Sequence, residues 1–133
     1  MRLSRKSEYA FLALIDLAEK HGEGYVRTVD IAADKKIPRK YLEQILLILK
    51  RSGYVRSARG SEGGYMLSKD PGKITLAEVI RMMDGALAPV ESVSKYFYEH
   101  TPIEGQKKLL RVFRDIRDTV AAKLEHTTLA DIS

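Results

Sequence analysis

The sequence predicts a mainly α fold that includes one small β-hairpin and ends on a long helix, and three observations predict it. Over residues 38–51, apolar side chains recur at three- and four-residue steps, with Tyr41, Leu42, Ile45, Leu46 and Leu49 on one face. The same periodicity returns over 106–124. Between them, one glycine-rich stretch (58–64) is flanked by short β-prone runs, Tyr54-Val55-Arg56-Ser57 and Tyr65-Met66-Leu67. At 133 residues, with 44% hydrophobic and 31% charged side chains, the chain can form one soluble domain with a core, or one domain plus a dimerisation arm.

In chain order, Ser4 suits the cap of a first helix, with Ser7 and Glu8 in its opening turn. From Tyr9 to Ala18 nearly every residue except Asp16 is apolar, so this helix is expected to be covered by its own domain and by a second subunit. His21-Gly22-Glu23-Gly24 ends it, and Tyr25-Val26-Arg27 reads as a short extended connector. Thr28 is expected to cap a short helix whose inward residues are Ile31 and Ala32. Pro38 suits the first turn of the next helix, where an absent N–H costs nothing, and Gly53 suits its close. Two short helices that cross at a small alanine and are joined by a tight turn make a helix-turn-helix over about 28–51, with an ordinary helical hairpin as the alternative. The β-hairpin over about 54–67 follows at once, which is the pattern of a winged helix.

Asp70-Pro71-Gly72 turns the chain, and Thr75 caps a helix carrying Leu76, Val79, Ile80 and Met83. Ala86-Leu87-Ala88-Pro89 breaks the pattern, and 90–105 is the least regular stretch. The helix from about 106 to 124 is roughly 28 Å long and carries Arg111, Arg114, Asp115, Arg117 and Asp118 on its polar side. Its apolar stripe includes Leu109, Val112, Phe113, Ile116, Val120 and Leu124, which have no sequence-adjacent partner. These six are assigned to pairing with a two-fold mate, giving a homodimer. Thr127-Thr128-Leu129-Ala130-Asp131-Ile132 is a short final helix. The expected organisation is a winged helix over 1–85, an irregular regulatory segment over 86–105, and a dimerisation helix with its tail over 106–133, intertwined with the first part as one domain.

Charge narrows the function. Residues 1–70 carry 14 basic and 9 acidic side chains, while 71–133 carry nine of each, so the whole net charge of +5 lies in the first half. Between 35 and 59, eight Lys/Arg stand against the single acid Glu43. Such a concentration binds phosphate backbones or anionic membranes. The longest apolar run, residues 10–15, is too short to span a bilayer and no secretory leader pattern opens the chain, so no membrane partner and a cytoplasmic location are expected. The chain has no cysteine, which excludes disulfides, thiolate metal sites and cysteine nucleophiles. His21, His100 and His126 stand apart from any paired acid or nucleophile, so no catalytic residue, no metal, no cofactor and no enzymatic activity is expected. The glycine-rich stretch lacks the G-x-x-x-x-G-K-[ST] spacing and precedes a strand rather than a helix, which argues against a nucleotide loop.

Double-stranded DNA is the partner that remains. Arg39, Lys40 and Arg51 suit phosphates, and Tyr41 suits donation to one. Gln44 has the amide geometry for an adenine edge, and Glu43 suits a cytosine amino group, unless it merely pairs with Lys40 or Arg39 on the helix surface. Leu47 suits a thymine methyl or a part of the core. Arg59, on a glycine-hinged tip, suits the narrow and strongly negative minor groove. Thr28 and Pro38 at the helix starts, with Gly60, Ser61, Gly63, Gly64 and Tyr65 of the hairpin, complete the expected contact set.

Several motifs together carry a resemblance: Met1-Arg2-Leu3-Ser4, Tyr9-Ala10, Asp30-Ile31-Ala32, Tyr41-Leu42-Glu43-Gln44, Leu49-Lys50-Arg51-Ser52-Gly53-Tyr54-Val55, and Arg59-Gly60 with Gly63-Gly64-Tyr65. Ile74-Thr75 with Glu78-Val79-Ile80 and Thr127-Thr128-Leu129 extend it. On these the chain resembles, over essentially its whole length, the IscR/NsrR/CymR family of bacterial winged-helix transcriptional regulators. The resemblance implies a homodimer with crossing C-terminal helices that reads a palindromic operator, most often as a repressor. Iron–sulfur members of the family keep three cysteines in the irregular segment, where this chain has none. Glu8, where some members recruit a carboxylate, and the lone His100 cannot replace thiolates, so no iron–sulfur cluster is expected. His21-Gly22-Glu23-Gly24, Ala88-Pro89-Val90-Glu91 and Thr127-Thr128-Leu129-Ala130-Asp131 carry a nearer likeness to the cysteine-poor CymR branch. That branch implies control of cysteine-metabolism genes with cysteine synthase as protein partner. The alternatives are a regulator that senses a small ligand through 90–105, where Tyr96-Phe97-Tyr98 would line a pocket or pack on the dimer helices, and a protein-interaction module that binds no DNA.

Overall fold

Helix α1 (Arg5–Glu19) starts at the expected cap: the Ser4 hydroxyl accepts from the Ser7 N–H at 3.1 Å. The structure, a computed structural model, describes residues 2–133, so Met1, the first residue of the resemblance, lies outside the described residues. Ala10, Ala13, Leu14 and Leu17 bury completely, while Tyr9, Phe11 and Leu12 pack on the core from its edge.

Helix α2 (Thr28–Lys35) begins one residue earlier than a Thr28 cap would place it, so Thr28 is its first residue and not its cap. Arg27 holds the cap position in extended backbone, its carbonyl accepting from the N–H groups of Asp30 and Ile31, and its guanidinium reaches the Asp30 carboxylate at 3.3 Å. Helix α3 (Arg39–Arg51), by contrast, leaves Pro38 just outside as its cap residue, with ψ 128°. Pro38 still serves the helix, because its carbonyl accepts from the Leu42 N–H at 3.0 Å. In the turn between the two helices Lys36 takes the left-handed conformation at φ 54°, and the next residue, Ile37, buries its side chain and donates its N–H to Ala32.

The core forms where α1, α2 and α3 meet. Leu42, Ile45, Leu46 and Leu49 of α3 pack with Leu14 and Leu17 of α1 and with Ile31 and Ile37. Each of the four is buried, and full burial of such a side chain stabilises by about 1.5–3 kcal/mol. Two surface ion-pair groups reinforce the α1–α2 contact: Lys20 bridges buried Asp16 (3.0 Å) and Asp34, and Lys35 meets Glu19 at 2.6 Å.

Strands β1 (Val55–Ala58) and β2 (Gly64–Leu67) pair antiparallel, from Val55 opposite Leu67 to Ala58 opposite Gly64. The 25–27 connector is more than a link. Val26 and Tyr65 exchange both backbone hydrogen bonds, at 2.7 and 2.8 Å, fastening the hairpin to the start of α2.

Helix α4 (Leu76–Asp84) opens on a Thr75–Glu78 capping box. Glu78 also accepts from the Tyr54 hydroxyl at 2.7 Å, tying the base of the hairpin to α4. Burial, and then the Glu78 carboxylate, push the Tyr54 phenol up to about 12. At the far end of α4, Asp84 accepts from the Ser4 N–H (3.0 Å), the Ser4 hydroxyl (2.5 Å) and the buried Ser7 hydroxyl (2.6 Å). Burial opposes the Asp84 charge, but these donors outweigh it and hold the carboxyl below its usual range.

Residues 86–105 contain a single 3-10 turn at Glu91–Val93, and Ala88 and Val93 pack with Leu110. Helix α5 (Lys107–Glu125) divides the apolar stripe expected on it. Leu110 is buried, and Phe113 and Leu124, half-buried, also pack on their own chain. Leu109, Val112 and Ile116 stay 41%, 55% and 44% exposed. After α5 the chain returns to the first half. Thr127 accepts from the Leu76 N–H, Leu129 donates to Ile74, and Leu129, opening α6 (Leu129–Ile132), is fully buried in the main core. Among the described residues no helix is long and apolar enough to cross a membrane.

Candidate nucleic-acid interface

Because Leu42, Ile45, Leu46 and Leu49 anchor α3, helical geometry fixes what its other side presents. Lys40, Glu43, Gln44 and Arg51 are exposed there, and Leu47 lies among them at 44% exposure, so Leu47 belongs to the surface and not to the core. Arg39 and Pro38 are exposed at the entrance of the helix. Tyr41 stands outside the buried face on which periodicity places it. Its ring is exposed and lies against Tyr9 of α1, with centroids 5.5 Å apart and planes tilted by 32°.

The charges of this surface are free. Of the eight basic residues between 35 and 59, only Lys35 makes an ion pair among the described residues. Lys36, Arg39, Lys40, Lys50, Arg51, Arg56 and Arg59 keep their charge for an external anion. Glu43 makes no ion pair with Arg39 or Lys40 either, so the reading of it as a mere surface partner loses its support. Cations gathered without local counter-charge suit a polyanion, because each phosphate contact releases a condensed counterion.

The hairpin tip carries Arg59, Gly60 and Ser61, all exposed, with Gly60 at φ 97°. Gly63, Gly64 and Tyr65 occupy a different setting. Gly63 is buried, and Gly64 and Tyr65 are half-buried where the hairpin meets Val26. A Cβ on Gly63 would lie 2.3 Å from the Ala58 carbonyl oxygen, and one on Gly64 would lie 2.1 Å from that of Val26. The two glycines therefore let three backbone segments close on one another and so set where Arg59 stands. Thr28, half-buried at the first position of α2, lies at that same junction. Sequence periodicity does not single out Tyr9, which supports Tyr41, because its partner is remote in the chain and its neighbours are uniformly apolar.

The model of a family described as "Rrf2: Iron-dependent Transcriptional regulator" matches residues 3–133. The chain is 37% identical over 133 residues to the HTH-type transcriptional regulator CymR of Bacillus subtilis, covering all of this chain and 90% of that one. It is 34% identical to the HTH-type transcriptional regulator IscR of Cronobacter sakazakii, covering 99% and 80%. Among solved structures it is similar to CymR, the global cysteine regulator of B. subtilis (TM-score 0.79, 35% identity, 99% and 95% covered), and to IscR of T. potens (TM-score 0.75, 29% identity, 99% and 85% covered).

The iron in the family's description can be tested against the donors present. An iron–sulfur cluster is held mainly by thiolates, and this chain has none. In the irregular segment the buried polar side chains are the hydroxyls of Ser92 and Ser94, already engaged with the Thr101 hydroxyl and the Phe97 N–H. His100 is exposed and pairs with Glu104, and Glu8 faces Arg5. Among the described residues no group of three or more His, Cys, Asp or Glu could hold a metal ion. These residues do not fit a cluster. The winged-helix architecture, the hairpin register and the full-length match agree: the chain belongs to the Rrf2 family of transcriptional regulators.

Proposed function

We propose that the protein is a repressor that binds a palindromic operator as a homodimer, with α3 in the major groove and the hairpin tip in the adjacent minor groove. The observation that carries this reading is the outer side of α3. Lys40, Glu43, Gln44, Leu47 and Arg51 lie on one exposed strip of a helix locked by four buried residues, and its cations have no local counter-charge. Gln44 and Glu43 supply base-reading groups, while Arg39, Lys40, Arg51 and the Tyr41 hydroxyl supply phosphate contacts. Two copies join through Leu109, Val112, Ile116 and Val120 of α5, which places two recognition helices across a two-fold axis and accounts for a palindrome. Likeness to a protein described as the global cysteine regulator of B. subtilis supports control of cysteine-metabolism genes, and the CymR-type resemblance adds cysteine synthase as protein partner.

The hairpin tip tests this reading. Arg59→Ala should weaken operator binding by about 1–3 kcal/mol and flatten the preference for narrow-groove flanks in a competition binding assay. Unchanged affinity and unchanged flank preference would remove the wing from the contact surface. A second test concerns the cofactor. The protein purified without oxygen should bind its operator while showing no visible absorption band and no stoichiometric iron. A cluster band that rises and falls with DNA binding would overturn the cluster-free reading.

A further inference from the structure

A cleft opens between α4, α5 and the start of the irregular segment. Its apolar lining is small: buried Leu87, with half-buried Ala121 and exposed Ala122 along α5. Its rim is ionic. Arg81 of α4, Lys95 of the segment and Arg117 of α5 stand against Glu125 and Asp118. We infer that this cleft is a binding site for a small organic carboxylate, held by the Arg81 guanidinium and the Lys95 ammonium over the Tyr96 ring.

Arg81 is built in rather than loose. Its side chain is only 21% exposed, its guanidinium carbon lies 4.8 Å from the centre of the Tyr96 ring, and one of its terminal nitrogens donates to Glu125 at 2.7 Å. Beyond the nitrogen used by Glu125 the planar guanidinium fork keeps further donors, the group best suited to receive a carboxylate. Lys95 lies 5.4 Å from the same ring and makes no ion pair among the described residues, so a cation stands ready beside Arg81. Arg117 is committed: it donates to the Val93 carbonyl at 2.8 Å and pairs with Asp118, which fixes the wall and leaves Lys95 and the donors of Arg81 not used by Glu125 to the ligand. The free volume is about 150 Å³, well below the several hundred Å³ of pockets for larger ligands, so a molecule of amino-acid size fits and a nucleotide does not.

The position links the cleft to the rest of the fold. The Arg81–Glu125 pair joins α4 to α5, and three residues beyond Arg81, Asp84 holds the first turn of α1 through Ser4 and Ser7. A carboxylate on Arg81 competes with Glu125 for the same guanidinium, so occupancy alters the α4–α5 tie at the end of α4 that anchors α1. Along α5 the cleft is lined by Ala121, Ala122 and Glu125, while Leu87 and Arg117 also border the surface that carries Ile116 and Val120.

The test uses the full chain without DNA, so its failure leaves the operator reading standing and the reverse also holds. Acetate, pyruvate, succinate and benzoate are titrated by calorimetry, alongside acetamide, succinamide, benzamide and inorganic phosphate. At least one carboxylate should bind saturably, and its amide about tenfold or more weakly, because the charge-assisted bonds to Arg81 are lost. Lys95→Gln, on an exposed segment, should weaken that carboxylate several-fold, and Ala122→Leu should abolish binding by filling the cleft while keeping every charge. Arg81→Gln should do the same, with its fold checked by circular dichroism. Binding that survives Ala122→Leu, equal binding of acid and amide, binding of phosphate alone, or no binding by any probe would each overturn the assignment.

Discussion

Ile116→Asp is expected to sediment as a monomer in analytical ultracentrifugation where wild type sediments as a dimer, and to lower affinity for a full palindrome by about 100-fold or more. Leu109, Val112 and Ile116 are 41%, 55% and 44% exposed on one side of α5. In a two-fold interface each substitution counts twice, so the variant places two carboxylates in an apolar contact without partners, and unpaired buried charge is among the costliest changes a contact can suffer. The loss of operator affinity follows from separation of the half-sites. Joined modules bind the second half-site at an effective concentration in the millimolar range, and monomers forgo that advantage. Affinity for a single half-site should hardly change, because α5 packs on α4 and the Glu91–Val93 turn, whereas α3 packs on α1, α2 and β1. A variant that stayed dimeric would show that another surface joins the subunits.

Gly64→Val is expected to lower the melting temperature by roughly 10 °C or more and to abolish operator binding at temperatures where wild type still binds. Gly64 sits at φ 137°, a conformation closed to a β-branched residue, and its added Cβ would meet the Val26 carbonyl oxygen at 2.1 Å. The chain cannot yield locally, since Val26 is bonded in both directions to Tyr65 and leads straight into α2. A cost of about 3 kcal/mol or more spread over a domain of this size gives a shift of that order. Gly105→Ala is the matched control. Nothing lies within 4 Å of its Cβ and its backbone is ordinary, so its melting temperature should stay within about 2 °C of wild type. Equal stability of the two variants would contradict the junction described at Val26, Gly64 and Tyr65.

The elements that residue periodicity and turn chemistry specify locally were legible in the sequence. The buried side of α3, the hairpin with its glycine tip, the Ser4 and Thr75 caps and the extent of α5 all follow from patterns within one element. Relations between distant elements were not legible. Leu109 and Leu110 are adjacent and equally apolar, yet one faces outward and the other is buried on Ala88 and Val93, and no single-helix pattern separates them. Phe113 and Leu124 share the stripe and also pack, half-buried, on their own chain, which the same pattern does not show. Tyr41 fits the apolar rhythm of α3 and yet stays outside, because Tyr9 offers it a surface-side ring. The return of Leu129 to the core depends on a pairing with Ile74 that spans more than fifty residues. Within the candidate interface, the exposure of the strip on α3 and of the Arg59 tip follows from the local sequence pattern. The structural duty of Gly63 and Gly64 emerges only once the Val26 strand is seen beside them.

Selection of genomic fragments by the purified protein shows whether two copies of α3 read a symmetric sequence. One enriched motif is expected, an inverted repeat with half-sites centred about one helical turn or a small multiple apart. Gln44→Ala should relax preference at one position, the same in each half-site, while the other positions hold. Enrichment of fragments with no symmetric motif, or a motif left unchanged by Gln44→Ala at every position, would contradict symmetric reading by α3.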